Sequence, residues 1–316
     1  MLTPFTFAAA FVVGLVVTPI VRTLAHRLEL LDQPGGRKVH QLPVPRLGGV
    51  AMTIAFGVAI GLATLASPDL GAVGSLRPNR APAILVGVGL LLAVGLVDDI
   101  RGMRALVKLA FQVAVALVAF GLGLSLDRLH LPWGIVDLGI LALPITVAWF
   151  VGVINAVNLI DGLDGLASGV VLTVLGAFGL LAAADGIDPT LPIIAATIGA
   201  AAGFLAYNLH PATIIMGDTG SMFLGFVVAA IGIALTQDGV FPQPPWVPII
   251  ALGVPIADTL WAVIRRSARG EAFFVADRGH IHHQLLRRGL SQRDAMLSLT
   301  AVSAALAVLA VLVGRT

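Results

Sequence analysis

The chain has 316 residues, of which 58% are hydrophobic and only 11% are charged, and its mean hydropathy is +1.00. Soluble domains carry about 25% charged residues, so this composition excludes a soluble globular protein. The net charge of +2 is small, and the absence of cysteine excludes disulfides and thiolate metal sites. We expect the lipid bilayer to be the main environment of the chain and expect no nucleic acid among its partners.

Ten apolar segments of spanning length follow one another along the chain. A membrane-spanning helix needs about 20 mostly apolar residues. The segments are residues 4–24, 47–66, 82–97, 105–124, 139–158, 166–184, 190–207, 220–236, 246–264 and 295–313. The first has no basic region before it, so it is interpreted as a retained span and not as a cleaved signal. The predicted fold class is all-α, a polytopic membrane helical bundle of about ten transmembrane helices in a single domain, residues 1–316.

The basic residues are distributed unequally between the two sides of this bundle. If the N-terminus lies outside, most of the Lys and Arg residues fall in loops on one side, which the positive-inside rule makes cytoplasmic, and both termini lie outside. The cytoplasmic loops are expected near residues 25–46, 98–104, 158–165, 208–219 and 265–293. Most of the motif-like sequence lies in them, so we expect the function at the cytoplasmic face of the plasma membrane.

Four carboxylate motifs lie at the predicted inner ends of spans. They are VDDI with Asp98 and Asp99, NAVNLIDGLDG with Asp161 and Asp164, MGDTGS with Asp218, and PIADT with Asp258. A carboxylate at membrane depth costs roughly 2.5 to 3.5 kcal/mol, so each needs a cation, water or a polar cavity. The alternative is that each acidic residue only marks a helix end in the interface. For the whole set on one face, a shared site is the better interpretation.

The chemistry of these side chains favours a hard cation and a phosphorylated substrate. Oxygen ligands without cysteine favour Mg²⁺, with Mn²⁺ as a substitute, and Mg²⁺ is commonly held by one or two carboxylates together with substrate phosphates. Basic residues on the inner side are suited to clamping phosphate, although for each of them a topology signal is the alternative. These residues include Lys38, Lys108, Arg265 and Arg266.

Spacing within the motifs suggests how they divide their tasks. Asp98 and Asp99 are adjacent, so on an ideal helix they point about 100° apart and are expected to have different roles. Gly162 favours a loop or a helix start, where backbone N–H groups are free to approach a ligand. Asn155 and Asn158 are three residues apart, and interhelical hydrogen bonding is the alternative reading for both.

Three histidines stand together in HIHH at residues 280–283. A zinc site is the alternative interpretation, because His280, His282 and His283 are common zinc ligands. The last two are adjacent, however, and no fourth protein ligand is evident, so hydrogen bonding to a polar substrate is favoured.

Five motifs in this order make the chain resemble the polyprenyl-phosphate N-acetylhexosamine-1-phosphate transferase superfamily over nearly its full length. They are RKVHQLPVPRLGG (37–49), VDDIRGMRALVKLAFQ (97–112), NAVNLIDGLDGLA (155–167), IIMGDTGSMFLGF (214–226) and DRGHIHHQLLRRGLS (277–291). HIHH is similar to the branch that transfers GlcNAc-1-phosphate from UDP-GlcNAc to undecaprenyl phosphate at the start of cell-envelope polysaccharide synthesis. The peptidoglycan branch, which transfers phospho-MurNAc-pentapeptide, typically shows three consecutive histidines and is the closest alternative.

The resemblance implies a role for each matching residue. The implied metal ligands are Asp218, Asn158 and Asp161. The implied catalytic residues are Asp98, Asp99, Asp161 and Lys108, with one of the adjacent pair near the metal or the acceptor phosphate and the other near Lys108. The implied substrate-binding residues are Asn158, Gly162, Leu163, Asp164, Lys38, Arg265, Arg266, His280, His282 and His283. Of these, Gly162, Leu163 and Asp164 would face the uracil, and the histidines would meet the diphosphate or the sugar.

The resemblance also carries one departure and several open alternatives. The family commonly has Phe two residues before Gly217, placed to stack on uracil, where this chain has Ile215. Direct attack by the acceptor phosphate is favoured over a covalent aspartyl-phosphate, which the resemblance leaves open, and a homodimer is implied. Outside the family, a secondary transporter also places carboxylates in the membrane, but no inverted repeat is found. A non-catalytic scaffold gives no reason for the clustered aspartates and histidines.

Overall fold

The computed structural model describes residues 2–35, 42–66, 80–184, 190–238, 242–270 and 279–315, and these parts of the chain are almost entirely helical. The helices within them are α1 (Leu2–Arg27), α2 (Gly48–Ala66), α3 (Arg80–Arg101), α4 (Ala105–Gly121), α5 (Ala142–Ile160), α6 (Leu166–Ala184), α7 (Leu191–Asn208), α8 (Gly217–Gln237), α9 (Trp246–Ala251), α10 (Gly253–Ala268), α11 (Ile281–Arg287) and α12 (Gln292–Gly314). The prediction of an all-α membrane bundle is confirmed.

The helices correspond to the ten predicted spans. Within the described ranges, eight helices are long and apolar enough to cross a membrane, and the fourth of these, which is the fifth predicted span, begins with a 3-10 turn at Gly139–Leu141. The fourth predicted span is α4, an apolar helix of 17 residues. The ninth is divided at Leu252 into the short α9 and the longer α10. A lipid environment explains the helical content, because each backbone polar group in hydrocarbon must be paired within the protein.

Helix α8 is the central helix of the bundle. Its spanning window is completely buried, whereas only 28% of the windows of α1 and α12 is buried. Helices α2, α3, α5 and α6 pack around α8. Small residues permit the closest approaches: a Cβ atom at Gly49 would lie 2.1 Å from the backbone nitrogen of Gly220, and one at Gly95 would lie 2.5 Å from the Cα of Thr219. Glycine at these positions therefore lets the backbones of α2 and α3 touch the first turn of α8.

Two short antiparallel strand pairs lie near the two ends of α8. The pair β1 (Leu31–Asp32) and β2 (Val44–Pro45) precedes α2, and the hairpin of β3 (Arg128–Leu131) and β4 (Gly134–Asp137) precedes α5. After β2 the chain runs beside the segment that leads into α8, where the backbone N–H of Ile215 donates to the carbonyl of Pro45 at 2.9 Å. The first pair is thereby attached to the start of α8.

The opposite end of α8 is held by side chains. Gln237 accepts hydrogen bonds from the backbone N–H groups of Asp127 and Arg128, both at 3.1 Å, and so fixes the hairpin. Arg80, at the start of α3, pairs with Asp238 at 2.5 Å. The aspartate motifs lie at the other end, so the two ends of α8 differ in chemistry.

Candidate active site

The carboxylate of Asp99 caps the start of α8 from a neighbouring helix. It accepts hydrogen bonds from the backbone N–H groups of Asp218 and Thr219 at 2.9 and 3.0 Å, and from the Thr219 hydroxyl at 2.6 Å. The first backbone N–H groups of a helix have no partner within it, and a negative charge there also opposes the helix dipole. Asp99 therefore ties the VDDI motif of α3 to the MGDTGS motif of α8.

Gly217 permits this contact. Its φ angle is +67°, in the left-handed region, and a Cβ atom there would lie only 2.6 Å from a carboxylate oxygen of Asp99. Any larger residue would be strained and would also displace the cap. Glycine at this place in MGDTGS is thus required both by the backbone and by Asp99.

Lys108 lies between two carboxylates. Its Nζ is 2.6 Å from Oδ2 of Asp98 and 3.0 Å from Oδ1 of Asp218. The other oxygen of Asp98 accepts from the backbone N–H of Met103 at 2.6 Å. The ammonium offsets the repulsion between two acidic groups that are partly removed from water. Helices α3, α4 and α8 thereby bring one residue each to a common polar cluster.

The two asparagines of NAVNLIDG have separate roles in the structure. Asn158 donates to Oδ1 of Asp218 and, at 2.7 Å, to the hydroxyl of Ser221. Asn155 instead donates to the side chain of Gln112 on α4 at 2.7 Å. Asn158 thus joins the aspartate cluster, and Asn155 makes the interhelical hydrogen bond that was the alternative reading.

Asp161 follows the last residue of α5 and faces the same cluster. Among the described residues, no group donates a hydrogen bond to its carboxylate. Desolvation raises the pKa of Asp161 well above its usual range, and the negative charges of Asp218 and Asp99 raise it further. A desolvated carboxylate beside other acidic groups, without a protein donor, has the chemistry of a cation ligand.

The next residues of this motif are turned toward the loop before α8. Asp164 Oδ2 lies 2.8 Å from Nδ1 of His210 and accepts from the backbone N–H of Ala212 at 3.0 Å. Leu163 is buried in the hydrophobic core. In this arrangement Asp164 holds the loop 209–216, and its expected contact with uracil stays a prediction.

The HIHH motif lies against Gly162. Nδ1 of the buried His280 is 2.8 Å from Oδ2 of Asp258, and the rings of His280 and His282 are stacked with centroids 5.8 Å apart. A Cβ atom at Gly162 would lie 2.2 Å from Nε2 of His282, so the imidazole packs directly on the glycine backbone. Burial lowers the pKa of His282 to about 4, and His283 adds to this shift, so the His282 ring is neutral at pH 7.

The basic residues proposed for phosphate binding are placed differently. Nη1 of Arg265 donates to the carbonyl of Gly279 at 2.9 Å, immediately before HIHH, while Arg266 is buried. Lys38 lies outside the described residues, so its predicted contact with substrate stays a prediction. Of the proposed basic residues that the structure describes, Lys108 is the one that lies between Asp98 and Asp218.

Arg46 and Thr219 are site residues that the sequence analysis missed. Arg46 pairs with Asp32 and donates to the backbone carbonyl of Asp99 at 3.2 Å, so the segment after β2 also holds the VDDI motif. Ile215, which replaces the usual Phe, is half-buried in the strand-like segment beside Arg46. Thr219 could have been found from the sequence, because it directly follows Asp218 in MGDTGS. Nothing in the sequence indicates that Arg46 pairs with Asp32.

No complete metal site is preformed in the described residues, because no three acidic or histidine side chains there are arranged as a ligand set. The aspartates engage Lys108, Asn158 and the start of α8. This arrangement fits Mg²⁺ better than zinc, because Mg²⁺ needs only one or two protein carboxylates when substrate phosphates supply the remaining ligands. Asp161 and Asp218 are the two carboxylates of the cluster that could supply these protein ligands.

Comparison with known proteins shows the family. The profile of glycosyl transferase family 4 matches residues 81–236. A probable undecaprenyl-phosphate N-acetylglucosaminyl 1-phosphate transferase of Bacillus subtilis is 40% identical over 293 residues, covering 92% of this chain and 79% of that protein. A decaprenyl-phosphate N-acetylglucosaminephosphotransferase of Mycolicibacterium smegmatis is 37% identical (91% and 76%), and an undecaprenyl-phosphate alpha-N-acetylglucosaminyl 1-phosphate transferase of Escherichia coli is 29% identical (92% and 78%).

Fold and site together define a multi-pass membrane protein with an acidic cluster at the end of its central helix. The chain belongs to glycosyl transferase family 4, the polyprenyl-phosphate N-acetylhexosamine-1-phosphate transferase superfamily, as the motifs predicted.

Proposed function

We propose that this protein transfers GlcNAc-1-phosphate from UDP-GlcNAc to undecaprenyl phosphate and releases UMP, as the first membrane step of a cell-envelope polysaccharide. The names of its relatives support a glycosyl phosphotransferase with a polyprenyl phosphate acceptor. The observation that carries the proposal is the cluster in which Lys108 joins Asp98 to Asp218. A lysine between two aspartates at a helix end in the membrane is suited to phosphate chemistry on a lipid-borne substrate.

Mg²⁺ is part of the proposal, with Mn²⁺ as a substitute. Asp218 and Asp161 would hold the ion, and Asn158 would orient Asp218 through their hydrogen bond. When bound, the ion would neutralise the negative charge that develops on the diphosphate. With only two carboxylate ligands from the protein, the ion would have coordination positions left for phosphate oxygens of the UDP-sugar, as is common for Mg²⁺ sites in phosphoryl transfer.

Direct displacement is the mechanism that the contacts support. An oxygen of the acceptor phosphate attacks the β-phosphorus of the UDP-sugar, the bond between this phosphorus and the bridging oxygen breaks, and UMP leaves. A phosphate monoester has a second pKa near 6, so the acceptor is largely dianionic at pH 7 and needs no strong base. Both oxygens of Asp99 accept hydrogen bonds from α8, and those of Asp98 engage Lys108 and Met103. Neither carboxylate is arranged as a free nucleophile.

In this reaction, three residues of the aspartate cluster have three different tasks. Lys108 stabilises phosphate charge, Asp99 anchors the start of α8, and Asn158 orients Asp218. His282 packs on Gly162, His280 stacks on His282, and Arg265 contacts Gly279, and we assign these side chains to the sugar and the diphosphate. Asp98 engages Lys108 whereas Asp99 caps α8, so the two adjacent aspartates have different roles in this proposal.

The proposed location is the bacterial plasma membrane, with the active site on the cytoplasmic face. If all ten predicted spans cross the membrane, both termini lie on the same side, and the positive-inside rule makes that side external. A homodimer is proposed from the resemblance alone, and the mass of the purified protein in detergent tests it.

The test is turnover by the purified full-length protein in lipid. UDP-GlcNAc, undecaprenyl phosphate and Mg²⁺ should give UMP and a lipid-linked GlcNAc in equal amounts, and tunicamycin should inhibit the reaction. A parallel reaction receives UDP-MurNAc-pentapeptide in place of UDP-GlcNAc. Turnover with the pentapeptide donor alone would assign the chain to the peptidoglycan branch. Solute flux into proteoliposomes without UMP release would instead indicate a transporter.

A further inference from the structure

Asp258 has no role in the reaction described above, yet it is almost completely buried in α10. Both of its oxygens are engaged by the HIHH segment. Oδ2 lies 2.8 Å from Nδ1 of His280, and Oδ1 accepts from the backbone N–H of Ile281 at 2.8 Å. One carboxylate therefore holds an imidazole and also the first residue of α11.

The contacts continue from Asp258 toward the aspartate cluster. The ring of His280 is parallel to that of His282, with an angle of 5° between their planes. His282 packs on the backbone of Gly162, the residue that follows Asp161. A displacement of His280 would therefore move His282 relative to Asp161, because the His280 ring stacks on His282 and His282 contacts the glycine.

The chemistry of the contact also determines where the proton of His280 lies. An ionised carboxylate only accepts hydrogen bonds, so Nδ1 of His280 must carry hydrogen. Nε2 is then the ring nitrogen left to a substrate group, since no described residue bonds to it. A buried carboxylate is costly where packing alone is needed, and an apolar residue of similar size would serve that purpose better.

We propose that Asp258 is a positioning residue of the transferase site, which fixes the proton of His280 on Nδ1 and holds His282 against Gly162. The role in turnover rests on the proposed function. Asp258 touches no reacting atom in this proposal, and it acts through His280. The same arrangement orients metal-bound and catalytic histidines in proteins generally, where loss of the orienting group typically lowers activity about 10- to 100-fold.

The decisive variant is Asp258→Asn, which changes the proton position without changing the size of the side chain. The amide oxygen of Asn can still accept from Ile281, but its NH₂ group then faces Nδ1 of His280. Nδ1 must become the acceptor, and the proton must move to Nε2. We expect ¹⁵N NMR of histidine-labelled protein in nanodiscs to show one of the seven histidines change from the Nδ1–H to the Nε2–H form. We expect kcat to fall at least about 10-fold while the KM for undecaprenyl phosphate stays unchanged.

Two comparisons separate positioning from folding. Asp258→Glu keeps an accepting carboxylate, so it should retain the Nδ1–H signal and a higher kcat than Asp258→Asn. Asp294→Asn changes a carboxylate at the start of α12 that contacts Ser291 and, within the described part of the chain, no histidine, so it should leave both readouts unchanged. If Asp258→Asn fails to fold, Asp258→Glu alone tests the positioning role. Loss of the Nδ1–H signal in Asp258→Glu, or loss of all its activity, would overturn the proposal.

A double-mutant comparison tests whether Asp258 acts through His280. In a His280→Gln background, Asp258→Asn should cost no further activity, because the residue it acts through is already absent. An additional loss equal to that in the wild-type background would show an independent structural role and overturn the proposal. The NMR signal needs no substrate, so an unchanged Nδ1–H form in Asp258→Asn also overturns it. Failure of the wild-type protein to turn over UDP-GlcNAc would refute the donor assignment instead.

Discussion

Thr219 donates both its backbone N–H and its hydroxyl to the carboxylate of Asp99, at 3.0 and 2.6 Å. This relationship makes the start of α8 depend on a residue of α3. Asp218, the preceding residue, is held by the same carboxylate, and its own side chain meets Lys108 and Asn158. Asp99 therefore helps to fix the position of Asp218 in the site.

Gly217→Ala should destabilise the protein and remove most of its activity. The Cβ atom would meet the Asp99 carboxylate, at 2.6 Å in the present structure, and the residue would be strained by its φ of +67°. The matched control is Gly270→Ala, where φ is +66° and no atom of the described residues lies within 4 Å of the added Cβ. Backbone strain alone costs roughly 1–2 kcal/mol. The Tm in detergent should fall further for Gly217→Ala, and equal Tm values would contradict the steric role of Asp99.

Lys108→Met should lower kcat by about 100-fold or more, the usual effect of removing one preorganised electrostatic group. Without the ammonium, Asp98 and Asp218 lose the cation that they share, and the phosphate loses its partner. Arg104→Met removes an exposed cation on the same segment and should keep activity near that of the wild type. The rate of UMP release at saturating substrate concentrations measures kcat for both variants. Equal activity of the two variants would show that the charge of Lys108 serves topology alone.

The two asparagines should separate catalysis from packing. Asn158→Ala removes the donor to Asp218 and should lower kcat about 10-fold, which corresponds to about 1.4 kcal/mol. Asn155→Ala removes a hydrogen bond between α5 and α4 and should lower Tm with little change in kcat. Paired measurements of Tm and kcat decide the question. A larger loss of kcat in Asn155→Ala would reverse the assignment.

Removal of divalent cations should abolish turnover, and Mg²⁺ or Mn²⁺ should restore it. Asp218→Asn should raise the Mg²⁺ concentration needed for half-maximal rate, because one of the two proposed ligands loses its charge. Asp137→Asn, in the exposed hairpin, is the control and should leave the Mg²⁺ dependence unchanged. Titration of the rate with Mg²⁺ after EDTA treatment provides the measurement. Full activity in EDTA would exclude the proposed cofactor.

The sequence predicted the helices well and the irregular parts poorly. All ten predicted spans correspond to helices, because the length of an apolar segment is enough to indicate a spanning helix. The division between α9 and α10 was missed, since Gly253 in an apolar segment does not by itself indicate a break. The hairpin of β3 and β4 was also missed, because strands of four residues carry too little periodicity to be recognised.

By itself, the sequence determined the bilayer as the environment, the bundle of helices and the family, because composition, segment length and motif order are properties of the chain alone. Only the tertiary structure decided which aspartate does what. Asp98 meets Lys108, Asp99 caps α8 and Asp258 holds His280, although all three were similar carboxylates at helix ends in the sequence. The reason is that a carboxylate acquires its role from the donors that surround it, and these come from helices far apart in the chain.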